Sequence, residues 1–156
     1  MTTSLGEEAY NQLRSMIVRL DFAPGDVLRE DDLRDQLGIG RTPIREALQR
    51  LEREHFVNVV ARQGIFVTGI DVGELSMLFE TRSVLEPYAA RLAALRGTNE
   101  SWEAMEEALD LTVGATNGAE LLAIDRTCHE LMWQAAGNRF LIDTLDMLYA
   151  QSDRLW

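Results

Sequence analysis

Lysine is absent from this sequence of 156 residues: all 15 basic side chains are arginine. Arginine grips phosphates and guanine edges with a bidentate fork, although codon preference alone would produce the same usage. Cysteine occurs once, at Cys128, which excludes an internal disulfide and a thiolate zinc site and fits a reducing compartment. Three prolines and 7% aromatics favour helices over a β-sandwich. No apolar run approaches the roughly 18 to 20 residues of a membrane-spanning helix, and the N-terminus has no charged-then-apolar leader. The expectation is a soluble, cytoplasmic protein with no membrane partner. With 46% hydrophobic and 26% charged residues, the chain is neither disordered nor collagen-like. Its length suits one domain of ordinary size or two small ones, and not a large multidomain enzyme.

A net charge of -11 argues at first against nucleic acid, since phosphate binding is electrostatic. The distribution weakens that argument. Residues 1–69 hold nine Arg against eleven Asp or Glu, a net of -2, whereas residues 70–156 hold six Arg against fifteen acids, a net of -9.

Leu5, Ala9, Leu13, Met16, Ile17 and Leu20 follow helical spacing until Pro24-Gly25 turns the chain. Glu30, Asp31 and Asp32 suit the start of a second helix, where carboxylates meet the positive end of the helix dipole, and Leu33 and Leu37 supply its buried stripe. Gly38-Ile39-Gly40 breaks it. A third helix opens at Thr42-Pro43, with Ile44, Ala47, Leu48 and Leu51 at i, i+3, i+4 and i+7. Two β-prone runs, Phe56 to Val60 and Ile65 to Thr68, flank Ala61-Arg62-Gln63-Gly64 and read as a hairpin.

Three helices with a tight break before the third, then a hairpin, describe a winged helix-turn-helix over residues 1–69. Arg41, Thr42, Arg45 and Gln49 occupy a stripe of about 100° on the third helix that avoids the apolar one. Such a helix can bury one side and read DNA with the other. The alternative is a solvated face with Arg45 paired to nearby carboxylates.

The run Gly40-Arg41-Thr42-Pro43-Ile44-Arg45-Glu46-Ala47-Leu48-Gln49-Arg50-Leu51 resembles the recognition-helix signature of GntR-family bacterial regulators. Pro24-Gly25, Leu28 to Leu37 and Gly64-Ile65-Phe66-Val67, the last as the wing, resemble the same family. The resemblance implies that Arg41, Thr42 and Arg45 contact bases or phosphates, with Gln49 on the same stripe, and that the wing tip of Arg62, Gln63 and Gly64 reaches the minor groove. One departure stands out. Where some members carry a DNA-contacting arginine early in the second helix, this chain has Glu30-Asp31-Asp32, so no contact is carried over to that site.

After a junction at residues 70–74, a long pattern runs to Arg96 and stops at Gly97, with Leu75, Leu78, Phe79, Leu85, Ala89 and Leu92 as its apolar positions. Arg82 falls within that stripe and needs a partner: Glu86 one turn on, or a ligand anion. Pro87 predicts a kink between Ser83 and Pro87. Trp102, Met105, Leu109 and Val113 define a further helix, Leu121, Leu122, Cys128 and Met132 another, and Leu141, Leu145, Leu148 and Leu155 a third. Asp125 and His129, four apart on one face, can converge on a metal ion, or form a buried histidine with its carboxylate partner.

Glu80 to Leu95 and Ile124 to Leu141, including Asp125, His129 and Gly137-Asn138, resemble the helical effector domain, of the FCD type, found in the FadR subfamily. The resemblance implies a divalent metal (Zn, Mn or Ni) held by one Asp and three His, beside a small carboxylate ligand that Arg82 would bind. Only Asp125 and His129 are supplied; His55 lies in the other half. The family's domain also continues for several tens of residues past Trp156. The expectation is therefore an apparently truncated effector domain over residues 75–156, an incomplete metal site that needs ligands from elsewhere, and an exposed apolar face that promotes association.

The fold class expected is mainly α: a winged helix-turn-helix followed by a partial helical bundle. The function expected is a sequence-specific transcriptional regulator, a repressor, that binds a palindromic double-stranded operator as a homodimer and responds to a small organic acid. The alternative is an interaction module that forms mixed dimers with a full-length relative. A hydrolase built on Asp125 and His129 would lack a third ligand and a general base, so no enzyme activity is expected.

Overall fold

The structure, a computed structural model, describes residues 4–154. Its elements are α1 (Leu5–Val18), β1 (Val27–Leu28), α2 (Glu30–Leu37), α3 (Arg41–Arg53), β2 (Val57–Val60), β3 (Gly64–Val67), α4 (Val72–Arg96), α5 (Asn99–Asp110), α6 (Gly118–Ala136) and α7 (Arg139–Asp153). A single 3-10 turn, Leu111–Gly114, follows α5. The chain divides into two compact units, one running to Leu75 and including the segment from Ala150 onward, the other Ser76–Tyr149.

In the first unit, Ser4 caps α1 by accepting the Glu7 amide at 3.2 Å. The helix then buries Ala9, Tyr10, Leu13 and Ile17. It stops at Val18, short of the expected Leu20, which lies past the cap at φ 61 and is exposed. The α2 helix ends on Gly38 at φ 66, a left-handed conformation that costs a residue with a Cβ roughly 1 kcal/mol or more. Three residues later α3 begins, and all four of its expected apolar positions, Ile44, Ala47, Leu48 and Leu51, are buried in the core it shares with α1. The hairpin is present with its register at Val57↔Val67 and Val60↔Gly64. A third strand, β1, pairs antiparallel with β3 to give the order β1-β3-β2. Two residues carry no periodic signal, which is why the sequence pattern shows only a turn there.

In the second unit, α4 begins at Val72 and remains one continuous helix across Pro87. Its Ala89, Leu92 and Ala93 form a core with Trp133, Ala136, Leu141, Leu145 and Tyr149. The α5 helix starts from a reciprocal Thr98–Ser101 capping box and ends at Asp110, so Val113, expected on its buried stripe, sits in the 3-10 turn and faces solvent. Trp102, Leu109, Leu121 and Leu122 are also exposed, contrary to the periodic reading. Asn117 caps α6, and Gly137 at φ 61 ends it. Leu155, expected on the stripe of α7, and Trp156 lie outside the described residues.

Candidate nucleic-acid interface and effector site

The polar stripe of α3 faces solvent: Arg41, Thr42, Arg45 and Gln49 are all exposed, on the side of the helix away from its buried residues. That separation follows from the sequence, because apolar residues at i, i+3, i+4 and i+7 leave the opposite arc to the polar ones. Both arginines are engaged. The Nε of Arg45 donates to Glu30 at 3.0 and 2.8 Å, and Nη2 of Arg41 donates to Asp31 Oδ1 at 2.8 Å. Glu30 and Asp31 come from the first turn of α2, so the helix-turn-helix geometry lays an acidic turn beside the arginine stripe. This pairing is the alternative weighed from the sequence for Arg45; its partner Glu30, fifteen positions away, is fixed only by the fold.

At the wing, the Gln63 amide donates to the Val60 carbonyl at 3.0 Å, closing a turn that holds Arg62 at φ 65 and Gly64 at φ 129. Arg62 and Gln63 project into solvent, and among the described residues Arg62 makes no ion pair. The arrangement offers an exposed helix face and an exposed hairpin tip, the two parts with which a winged helix engages a duplex.

In the second unit, Asp125 and His129 do come together, His129 Nε2 lying 3.8 Å from Asp125 Oδ1. The other ring nitrogen, Nδ1, is buried without a hydrogen-bond partner. Tyr149 donates its hydroxyl to Asp125 Oδ2, and its ring lies tilted against that of His129 with the centres 4.9 Å apart, with Trp133 closing the cluster. Burial, and then the charge of Asp125, push the Cys128 thiol up. Among the described residues no group of three His, Cys, Asp or Glu is placed to hold a metal ion.

Arg82 is mostly buried, bonded through Nε to Glu86 at 2.6 Å, with its guanidinium 4.5 Å from the Tyr149 ring centre. Arg126 lies 5.2 Å from the centre of the same ring and pairs with Glu130 and Asp146. Arg126, Trp133 and Tyr149 were not among the expected site residues. The i, i+4, i+8 spacing of Asp125, His129 and Trp133 could have signalled Trp133, but Tyr149 is brought in by the packing of α7.

A winged helix-turn-helix followed by an all-helical domain defines the class of protein. Residues 5–67 match the bacterial regulatory proteins of the gntR family, and residues 77–156 match the FCD domain. The chain belongs to the GntR family and carries an FCD effector domain, consistent with the FadR subfamily. It is 33% identical over 132 residues to the Nta operon transcriptional regulator of Aminobacter aminovorans, covering 83% of this chain and 63% of that protein. Over 97 residues it is 36% identical to the HTH-type transcriptional repressor GlaR of Escherichia coli, covering 62% of this chain and 44% of the other. In fold it is similar to E. coli McbR/YncC, with a TM-score of 0.80 at 23% identity, over 98% of this chain and 74% of that one. The first two are named as transcriptional regulators, not enzymes, and the chain spans less than two thirds of the length of either.

Proposed function

We propose that this chain is a DNA-binding transcriptional repressor that engages a palindromic operator as a homodimer and is released by a small organic acid. The observation that carries this reading is the exposed stripe of Arg41, Thr42, Arg45 and Gln49 on α3, a helix whose other face is wholly committed to the core. In this reading α3 lies in the major groove and Arg62, Gln63 and Gly64 reach the adjacent minor groove. The name of the GlaR relative supports repression.

Arg82 is the residue assigned to the effector carboxylate: its mostly buried guanidinium lies on Glu86 and beside the Tyr149 ring, and an incoming carboxylate would compete with Glu86 for it. Asp125 and His129 would hold a divalent metal, with Zn, Mn or Ni as candidates, once further ligands join them. A homodimer is supported by α4, where Met77, Val84, Tyr88 and Leu95 fall on one face and are all exposed. Work on DNA places the protein in the cytoplasm, and among the described residues no helix is long and apolar enough to cross a membrane.

The test is fluorescence anisotropy on an operator selected in vitro from random DNA. Arg45→Ala should weaken operator binding by about 1–3 kcal/mol. Equal affinity of the variant and the wild type would overturn the reading.

A further inference from the structure

We infer that Glu30 and Asp31 are specificity determinants: by holding Arg45 and Arg41 in ion pairs, they suppress binding to phosphates alone and leave recognition to depend on base edges. This rests on the reading of α3 as the DNA-facing helix.

Three observations carry it. Each carboxylate sits at contact distance from a different arginine of the stripe, Glu30 at 2.8 Å from Arg45 and Asp31 at 2.8 Å from Arg41. Glu30 is the more enclosed partner, its side chain 29% exposed against 60% for Arg45, so on approach of a ligand the arginine has more freedom to move. Both acids occupy the first turn of α2, where the helix dipole favours a carboxylate.

The consequence follows from charge. Non-specific binding draws its free energy from counterions released as cations meet phosphates. An arginine already neutralised by a carboxylate releases less. A phosphate brought to Arg45 would also lie within a few ångströms of Glu30, well inside the screening length of about 8 Å, and be repelled by it. A guanine edge presents neutral acceptors and carries no such penalty. The Arg45 guanidinium has five N–H donors, so it can donate to a base edge through its Nη groups while Nε stays on Glu30. Base contacts therefore survive the ion pairs, whereas phosphate contacts are weakened by them.

The experiment compares the whole chain with its E30Q/D31N variant on a short random-sequence duplex and on the selected operator, across a salt series. Both substitutions are isosteric at surface positions, and circular dichroism checks that the fold is kept. The random duplex should bind the variant about tenfold more tightly at low salt, with a log–log salt slope steeper by up to about 2, as two freed arginines predict. The ratio of operator to random affinity should fall. Adding R41A/R45A to the variant should return random binding to the wild-type level. An E106Q/E107Q variant, which removes two charges from α5, should leave it unchanged.

Unchanged random-duplex affinity and slope in E30Q/D31N would overturn the inference. So would an equal gain in E106Q/E107Q, which would assign the effect to net charge. Failure of the underlying reading is separately visible: R45A alone would then leave operator binding intact.

Discussion

Tyr10 shows how much one side chain can join. Its hydroxyl donates to Glu54 Oε2 at 2.6 Å, the Arg50 guanidinium lies 3.6 Å over its ring, and Arg50 bonds in turn to Glu54 and Glu7. The cluster ties α1 to the C-terminal end of α3. Burial, and then the hydrogen bond to Glu54, raise the Tyr10 phenol well above a tyrosine's ordinary value of 10.0. A raised folded value means the folded state keeps the proton longer, so this contribution to stability is complete below pH 10.0 and declines as pH rises beyond it. Tyr10→Phe should cost about 1–2 kcal/mol in urea denaturation at neutral pH. Its loss of stability above pH 10 should also be shallower than the wild type's. An identical alkaline decline in both proteins would exclude Tyr10 as its source. No such network is visible in the sequence, because Tyr10 and Glu54 are 44 positions apart.

Among the elements, α3 was the most legible and α5 the least. Every expected buried position of α3 is buried, because a strongly two-faced helix has only one orientation that satisfies both faces. In α5 the apolar positions follow helical spacing past the point where the helix ends, and Val113 is left in solvent. Spacing reports which residues would share a face if the helix continued, but the stop at Asp110 has no glycine or proline to mark it. The break between α2 and α3 is marked by Gly38. Gly38→Ala should destabilise the protein by about 1 kcal/mol, and Gly38→Asn by less, since asparagine tolerates the left-handed region better. Equal midpoints for the two variants in thermal denaturation would contradict that account.

For the molecule as a whole, two cores and an uncovered helix face set the expectations. The second core is centred on Trp133, which is 1% exposed, so Trp133→Ala should cost about 3–5 kcal/mol. Hydrogen exchange should show that loss first in the amides of α6 and α7. On α4, Met77, Val84, Tyr88 and Leu95 share one face and are all exposed, an apolar patch rather than singly scattered residues. Sedimentation equilibrium should give twice the chain mass of 17.6 kDa at micromolar concentration, and V84E/L95E should shift it to the monomer. A wild-type monomer under those conditions would remove the homodimer from the proposed function.

Helix order, the glycine break, the hairpin and the arginine stripe were readable in advance because each is local: periodicity, capping and turn chemistry act over a few residues. The pair Asp125 and His129 was readable for the same reason, four residues apart on one helix. What depended on the folded chain was which distant groups meet. Glu30 reaches Arg45, Tyr149 reaches Asp125 and Arg82, and β1 reaches β3 because core burial sets how helices and strands pack. Electrostatic partners at that range are chosen by geometry, and geometry is a property of the packed whole.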